Sequence, residues 1–291
     1  MKLTPTALRV AAIHDLCGLG RVSLTAVIPV LTTMGFEVCP LPTAILSNHT
    51  MYPSCSFMDL TDEMPKIIEK WRTFEVTFDA IYSGYLGSPK QIDIVRGFIA
   101  DFRTPDTLVV VDPVVGDNGK LYRKITQEMV DGMRELVAHA DVATPNLTEA
   151  YALLGRPYCP NAGTQALKQM IDDLIALGPD TVIITGAPVE NNPKLTSVIA
   201  KSRSDGRFWQ VSCPYLPAHF PGTGDAFTSV ITGSLLQGDS LPIALDRAAQ
   251  FILQGIRATF GYKGSTREGI LLERVLPNLK MPIVSSTYEL V

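Results

Sequence analysis

The sequence predicts an α/β fold built on a mainly parallel sheet flanked by helices. Three observations carry that expectation. Short Val/Ile-rich runs recur along the 291 residues, each followed by a stretch with helical spacing. The run Leu108 to Val111 is nearly all Val, as expected for a strand buried on both faces. Polar residues stand just past the ends of these runs, where open α/β sheets bind their ligands.

Arg9 to Ile13 reads as the first strand. A helix follows from about Leu24 to Met34, kinked at Pro29, and leads to a strand from Phe36 to Leu41. Ala80 to Tyr82, Leu108 to Val111, Val142 to Ala143 and Thr181 to Ile184 read as further strands. Ser197 to Ala200 and Phe208 to Val211 suit a hairpin around Asp205-Gly206. Ile67, Ile68 and Trp71 share one helical face, as do Ile92, Val95 and Ile99. Shorter helices are expected over Leu147 to Leu154 and Ala226 to Leu236. No repeat, low-complexity tract or linker interrupts the chain, so residues 1–291 read as a single domain.

Composition narrows the function. The net charge is −4 and no basic run stands out, which argues against a nucleic-acid partner. No apolar stretch reaches the roughly 18 residues that span a bilayer. Met1, Lys2 and Leu3 are followed by Pro5, and Leu8 to Ile13 is too short for a signal-peptide core, so a cytoplasmic location is expected. Cys17, Cys39, Cys55, Cys159 and Cys213 are odd in number and form no C-x-x-C pair. That pattern favours reduced thiols over a disulfide framework or a zinc site.

The strand ends bring together His14 and Asp15, Ser83 and Tyr85, Asp112 and Asp117, Thr144 and Asn146, and Thr185 and Gly186. The sharpest segment is Pro221-Gly222-Thr223-Gly224-Asp225-Ala226-Phe227, which opens a small-residue helix. Glycines there let the backbone approach a phosphate, and helix N-terminal N–H groups favour the anion. A carboxylate at the same turn can take the proton of an attacking alcohol. On local physics alone, Asp225 reads equally well as a plain helix N-cap.

Gly222 to Asp225, G-T-G-D before a helix, resembles the phosphate-binding and catalytic signature of the ribokinase-like superfamily. Other segments are similar to the pyridoxal kinases within it. These are Ser47-Asn48-His49-Thr50, Ser83-Gly84-Tyr85, Asp112-Pro113-Val114-Val115-Gly116-Asp117, Thr144-Pro145-Asn146-Leu147-Thr148-Glu149, and the run from Gly178 to Thr185. They stand in the family's order, from about Arg9 to Arg257. The resemblance implies a three-layer ribokinase-like fold without a separate lid domain. It also implies transfer of the ATP γ-phosphate to the hydroxymethyl group of pyridoxal, pyridoxine or pyridoxamine.

Residue by residue, the resemblance makes Asp225 the general base and the N–H groups of Gly222, Thr223 and Gly224 the anion hole. Asp117, Asn146 and Glu149 would position the ATP phosphates, with Asp117 and Glu149 holding Mg²⁺ directly or through water. Thr144, Thr185 and Gly186 match nucleotide contacts, as do Thr223 and Gly224. Thr50 would contact the pyridine ring beside Tyr85, and Asp112 would support the site from a strand end. The resemblance leaves room for a monovalent cation and implies a homodimer.

One departure bears on substrate. Where relatives carry I-Q-S, this chain has Ile13-His14-Asp15, so Asp15 stands in place of a ligand-bonding Ser. A carboxylate there could pair with a protonated ring nitrogen or an amine, or serve as a structural acceptor. It also brings in hydroxymethylpyrimidine as an alternative substrate, although the kinases for that alcohol tend to carry Cys at the position of Asp225. His14 and His49 are further candidates as proton carriers, against the plainer reading of hydrogen-bonded structural histidines. Sugar kinases of the superfamily insert lid strands after the first strand. The about 22 residues between Ile13 and Phe36 hold one helix and no lid. Gly18 to Ser23 resembles a dinucleotide fingerprint, but its third glycine is Ser23 and the second strand ends without an acidic residue.

Overall fold

The computed structural model describes residues 7–262, 266–282 and 286–291; the stretch from Met1 to Pro5 lies outside the described residues. Its strands are β1 (Arg9–Cys17), β2 (Glu37–Leu46), β3 (Phe57–Asp59), β4 (Ala80–Ser83), β5 (Leu108–Val111), β6 (Gly116–Asp117), β7 (Lys120–Leu121), β8 (Val142–Ala143), β9 (Thr181–Pro188), β10 (Leu195–Ser202), β11 (Phe208–Pro214) and β12 (Tyr288–Leu290). The principal helices are α1 (Leu24–Thr33), α2 (Met64–Thr73), α3 (Pro89–Phe102), α4 (Gln127–Val137), α5 (Leu147–Leu153), α6 (Thr164–Ala176), α7 (Thr223–Leu236) and α8 (Leu241–Phe260).

One ten-stranded sheet runs in the order β12-β11-β10-β9-β8-β5-β4-β1-β2-β3. From β9 to β2 every pairing is parallel, while β3 and β10 to β12 add antiparallel edges. The expected hairpin at Asp205-Gly206 is the β10–β11 pair, with Gly206 at φ 70°. Each face of the sheet carries its own apolar layer. Ala11, Ile13, Ile81, Val109 and Val111 pack toward α2 to α6. Val10, Ala12, Ala80, Tyr82 and Val110 pack toward α1, α7 and α8. Residues next to each other along a strand thus bury on opposite faces, which is why the central strands are apolar throughout.

Several strands extend further than their sequences suggest, β1, β2 and β9 most consequentially for the site. β1 continues from Ile13 to Cys17 and β2 from Leu41 to Leu46, through Pro40 and Pro42. β3 pairs only with Ala44 to Leu46, so both prolines sit where β2 is a sheet edge and a missing N–H costs no ladder bond. β9 continues past Ile184 to Pro188, with Gly186 at φ 64° absorbing the irregularity. Pro29 lies inside α1 as expected, and that helix ends at Thr33.

Topology decides where a site can form. From β1 the chain moves outward to β2 and β3, then returns to the other side of β1 as β4 and proceeds to β5, β8 and β9. The connections after β1 leave on opposite faces, α1 on one and α2 on the other. The strands therefore diverge at the carboxyl ends of β1 and β4, and that crevice is the switch point where such sheets bind ligands.

Candidate active site

Pairing of β1 with β4 stops at Ile13 and Ser83, where the Gly84 N–H donates to the Ile13 carbonyl at 3.0 Å. β1 then runs on beside β2 alone, with a register shift between His14 and Leu16. Bulges of this kind re-aim side chains beside active sites. His14 and Asp15 are therefore not loop residues past a strand end, as the sequence suggests, but buried positions within β1. By the same correction Thr185 and Gly186 lie within β9.

Asp225 sits at the third residue of α7, and the N-cap is Gly222 at φ 81°. The helix-cap reading of Asp225 is thus set aside. Its Oδ2 accepts the Ser23 N–H at 2.8 Å, and its Oδ1 lies 3.8 Å from His14 Nδ1. The side chain is 15% exposed. Burial raises its pKa to about 6, with the Ser23 N–H opposing the rise and Asp15 adding to it. A carboxyl tuned this way is ionised at neutral pH yet basic enough to take a proton.

The turn before α7 has no room for a side chain. A Cβ on Gly222 would stand 1.9 Å from the Arg21 carbonyl oxygen. The N–H groups of Thr223, Gly224 and Asp225 form the first turn of the helix and have no intrahelical acceptor, so they are available to an anion. The segment that presses on Gly222 is Gly18 to Ser23, which resembled a dinucleotide fingerprint. It is instead packed into the site: Ser23 takes φ 50°, which is strained for a non-glycine residue, and aims its N–H at Asp225. Arg21 anchors the segment through Glu273 at 2.9 Å and the Glu268 carbonyl at 3.1 Å.

Asp15 is 5% exposed. Its Oδ1 accepts from Ser23 Oγ at 2.6 Å and its Oδ2 from Cys17 Sγ at 3.2 Å. Burial raises its pKa despite those donors, and its charge raises that of Tyr85 after burial has done so. Asp15 and Tyr85 therefore share one end of the crevice. Thr50 is exposed on the loop after β2, which Asn48 braces by donating to the Ser54 carbonyl at 2.8 Å. His49 is buried and its Nε2 lies 2.5 Å from the Arg267 carbonyl, which makes it a structural donor tying this loop to residues 266–268.

The other end of the crevice is acidic. Asn146 caps α5 by accepting the Glu149 N–H at 3.0 Å, and its Nδ2 donates to the Gly116 carbonyl at 2.8 Å. Glu149 completes the capping box, taking the Asn146 N–H at 2.8 Å and the Val115 N–H at 3.2 Å. Being 3% exposed and so occupied, Glu149 suits a metal contact through water, not a direct one. Asp117, in the β6–β7 hairpin, is 33% exposed and lies 3.6 Å from His219. Thr144 is buried and shares a 2.9 Å hydrogen bond with Thr228, which makes it a brace for α7 instead of a side chain open to a nucleotide. Asp112 is buried beside Gly224; burial and then Asp225 raise its pKa well above the usual range, as burial and then Asp112 do for Glu149.

These carboxylates repel one another in a desolvated place. A hard divalent cation beside them would relieve that repulsion, so the oxygen donor set fits Mg²⁺. Among the described residues no cluster of three or more His, Cys, Asp or Glu could hold an ion unaided. Mg²⁺ bound here would complete its shell with water and phosphate oxygens. Sequence reasoning missed Ser23 as a contact to Asp225, Thr228 as the partner of Thr144, and Tyr122, whose pKa is raised by burial and by Glu149. Thr228 stands one helical turn after Asp225, a spacing that could have pointed to it.

A switch-point crevice, a glycine-capped helix N-terminus and a buried carboxylate with a raised pKa define a phosphotransferase of the ribokinase-like class that acts on an alcohol. The chain belongs to the phosphomethylpyrimidine kinase family, whose profile matches residues 23–268. It is 31% identical to the pyridoxal kinase of Arabidopsis thaliana over 80% of this chain and 75% of that one. A Bacteroides thetaiotaomicron protein named for the phosphomethylpyrimidine kinases, crystallised with pyridoxal, is 64% identical, with a TM-score of 0.96 over 98% of this chain and 100% of that one. Pyridoxal kinase from Leishmania donovani, in complex with ADP and pyridoxamine, is 25% identical, with a TM-score of 0.87 over 97% and 98%.

Proposed function

We propose that this chain is an ATP-dependent kinase for the 5′-hydroxymethyl group of the B6 vitamers, acting in their salvage. The observation that carries the reading is Asp225, held by Ser23 at the entrance of a helix whose first N–H groups face the same crevice. The relative crystallised with pyridoxal and the relative bound to ADP and pyridoxamine support both substrates.

The substrate ring lies at the Asp15, Tyr85 and Thr50 end, and ATP lies toward Asn146, Thr185 and Gly186. Asp225 accepts the proton of the hydroxymethyl group as its oxygen attacks the γ-phosphorus. The bond from that phosphorus to the ADP oxygen breaks, and ADP leaves. Backbone N–H groups from Gly222 to Gly224 stabilise the charge on the moving phosphoryl group. Asp117, and Glu149 through water, would hold Mg²⁺, which supplies charge neutralisation on the phosphates when bound. Asp15 is the residue that sets vitamer choice. The single sheet that takes in both β1 and β12 supports one domain, and a cytoplasmic setting is the one the sequence favours. A homodimer and a monovalent-ion requirement rest on family resemblance.

Hydroxymethylpyrimidine is the second reading, favoured by the description of the matching family. A kinase assay offering pyridoxal, pyridoxine, pyridoxamine and hydroxymethylpyrimidine with Mg-ATP separates the two. Turnover of the pyrimidine alone would overturn the B6 assignment, and turnover of ribose alone would overturn both.

A further inference from the structure

Asp225 has a neighbour to which the mechanism above gives no task. His14 is fully buried, and neither Nδ1 nor Nε2 has a hydrogen-bond partner. A buried polar group left unpaired is costly, and in a native site it calls for an explanation. The Nδ1 atom lies 3.8 Å from Asp225 Oδ1. That is longer than a hydrogen bond, but contacts of this kind are often long before substrate binds and tighten in the reacting complex.

The ring is confined to this orientation. Tyr82 packs its edge against it with centroids 4.4 Å apart. Gly84 also borders the ring: a Cβ there would stand 2.2 Å from Nδ1 and 2.4 Å from Cε1. Here the glycine is needed because the imidazole fills the place of its side chain. The register shift after His14 marks the point where β1 departs from regular pairing to present this pair of residues.

We propose that His14 is a positioning residue for the catalytic base, donating from Nδ1–H to Asp225 Oδ1 in the reacting complex while the Ser23 N–H holds Oδ2. This rests on the reading of Asp225 as that base. The groups that face the ring decide the tautomer. Asp225 comes from α7, the Tyr82 phenol from β4, Asp15 follows along β1, and β2 presents the uncharged Pro42. Burial lowers the His14 pKa to about 3, so the ring is neutral at working pH and carries one proton. Placed on Nδ1, that proton meets a carboxylate. Placed on Nε2, it would leave two lone pairs facing each other at Nδ1 and Oδ1. A donor to the ionised form favours that form and holds the Asp225 pKa down against burial.

The test is a set of pH profiles of kcat/KM for pyridoxal with Mg-ATP in wild type, His14→Leu, His14→Asn and Asp225→Asn. Loss of the donor should move the acid limb of His14→Leu upward by roughly one pH unit and lower the rate below that limb roughly tenfold. His14→Asn places an amide N–H near the Nδ1 position and should return the limb to within a few tenths of a unit of wild type. Gly84→Ala should reproduce the Leu profile with His14 still in the chain. A purely structural histidine would alter melting temperature and leave the limb in place. The ¹⁵N shifts of His14 in the wild-type protein should report the neutral Nδ1–H tautomer at pH 7. An Nε2–H tautomer, or a Leu profile superimposed on wild type, overturns the proposal while an inactive Asp225→Asn leaves the base assignment standing. An active Asp225→Asn with its acid limb intact removes the base assignment and this proposal together. Should His14→Leu not fold, the Asn profile and the tautomer decide.

Discussion

Asp225→Asn is expected to make the enzyme far slower and more stable at once. The carboxyl is raised from 3.8 to about 6, chiefly by burial. Folding therefore favours its protonated form, and stability contributed by this group is present at low pH and lost as pH rises through about 6. At pH 7 the ionised group carries a penalty whose ceiling is about 3 kcal/mol. Asn keeps the shape and an oxygen that can accept the Ser23 N–H, but that bond loses its charge assistance. A net gain of about 1–2 kcal/mol remains, which is a rise of a few degrees in Tm for a chain of this size. Meanwhile kcat should fall by about 10²–10⁴, the usual worth of a general base. ATP affinity should persist, because the backbone N–H groups of α7 are untouched. The assay pairs ADP-release kinetics with thermal melts at pH 7.5 and pH 5, and the gain should shrink at the lower pH, where wild type is already largely protonated. A kcat within about threefold of wild type, against the 10² minimum, would refute the base assignment. A variant clearly less stable at pH 7.5 would refute the account of burial.

Three further outcomes follow from the same geometry. Asp15→Ser should change relative kcat/KM among the vitamers with little change in KM for ATP, whereas a uniform loss across substrates would mark Asp15 as an acceptor for Ser23 and Cys17 alone. Gly222→Ala must place a Cβ 1.9 Å from the Arg21 carbonyl at a positive φ, so kcat should drop by at least about 10² with a lowered Tm; an unaffected enzyme would show that the Gly18 to Ser23 segment can move aside. Asn146→Ala removes the α5 cap and the tie to Gly116, costing about 1–2 kcal/mol and raising KM for ATP while sparing KM for pyridoxal, and equal effects on both substrates would contradict the assignment of that end to the nucleotide.

The fold class was legible because it depends on patterns carried by single segments. Val109 to Val111 are buried on both faces, and Ile92, Val95 and Ile99 bury together on α3 as their spacing implies. Errors gathered where tertiary context overrode a local signal. Pro40 and Pro42 look like stop marks, yet β2 passes through them because it is an edge there. The longest helix, α8, was not anticipated, and its buried face is rich in Ala244, Ala248, Ala249 and Gly255, small residues that give weak contrast. α4 is a different case: Met129, Val130, Met133, Leu136 and Val137 have clear helical spacing, so its pattern can be read from the sequence.

At the site, legibility followed distance along the chain. The Asn146 and Glu149 capping box is separated by three residues, and its pattern can be read directly. The environment of Asp225 cannot, since its contacts to His14 and Ser23 each span some two hundred residues. Local reasoning therefore left Asp225 balanced between a cap and a base, and set Gly18 to Ser23 aside as an imperfect dinucleotide fingerprint with no other role. The structure joins the two questions. Gly222 accepts no Cβ because Arg21 occupies that space, and Arg21 is brought there by the segment whose Ser23 N–H holds the carboxylate. The glycines that suggested a nucleotide fingerprint near the N-terminus and those that suggested a phosphate loop near residue 222 thus belong to one packed junction. Its parts depend on one another: a side chain at Gly222 would press on Arg21 and Val22, next to the Ser23 that holds both Asp225 and Asp15. In the proposed mechanism the base Asp225 and the substrate-side Asp15 are therefore held by one residue of a single backbone segment.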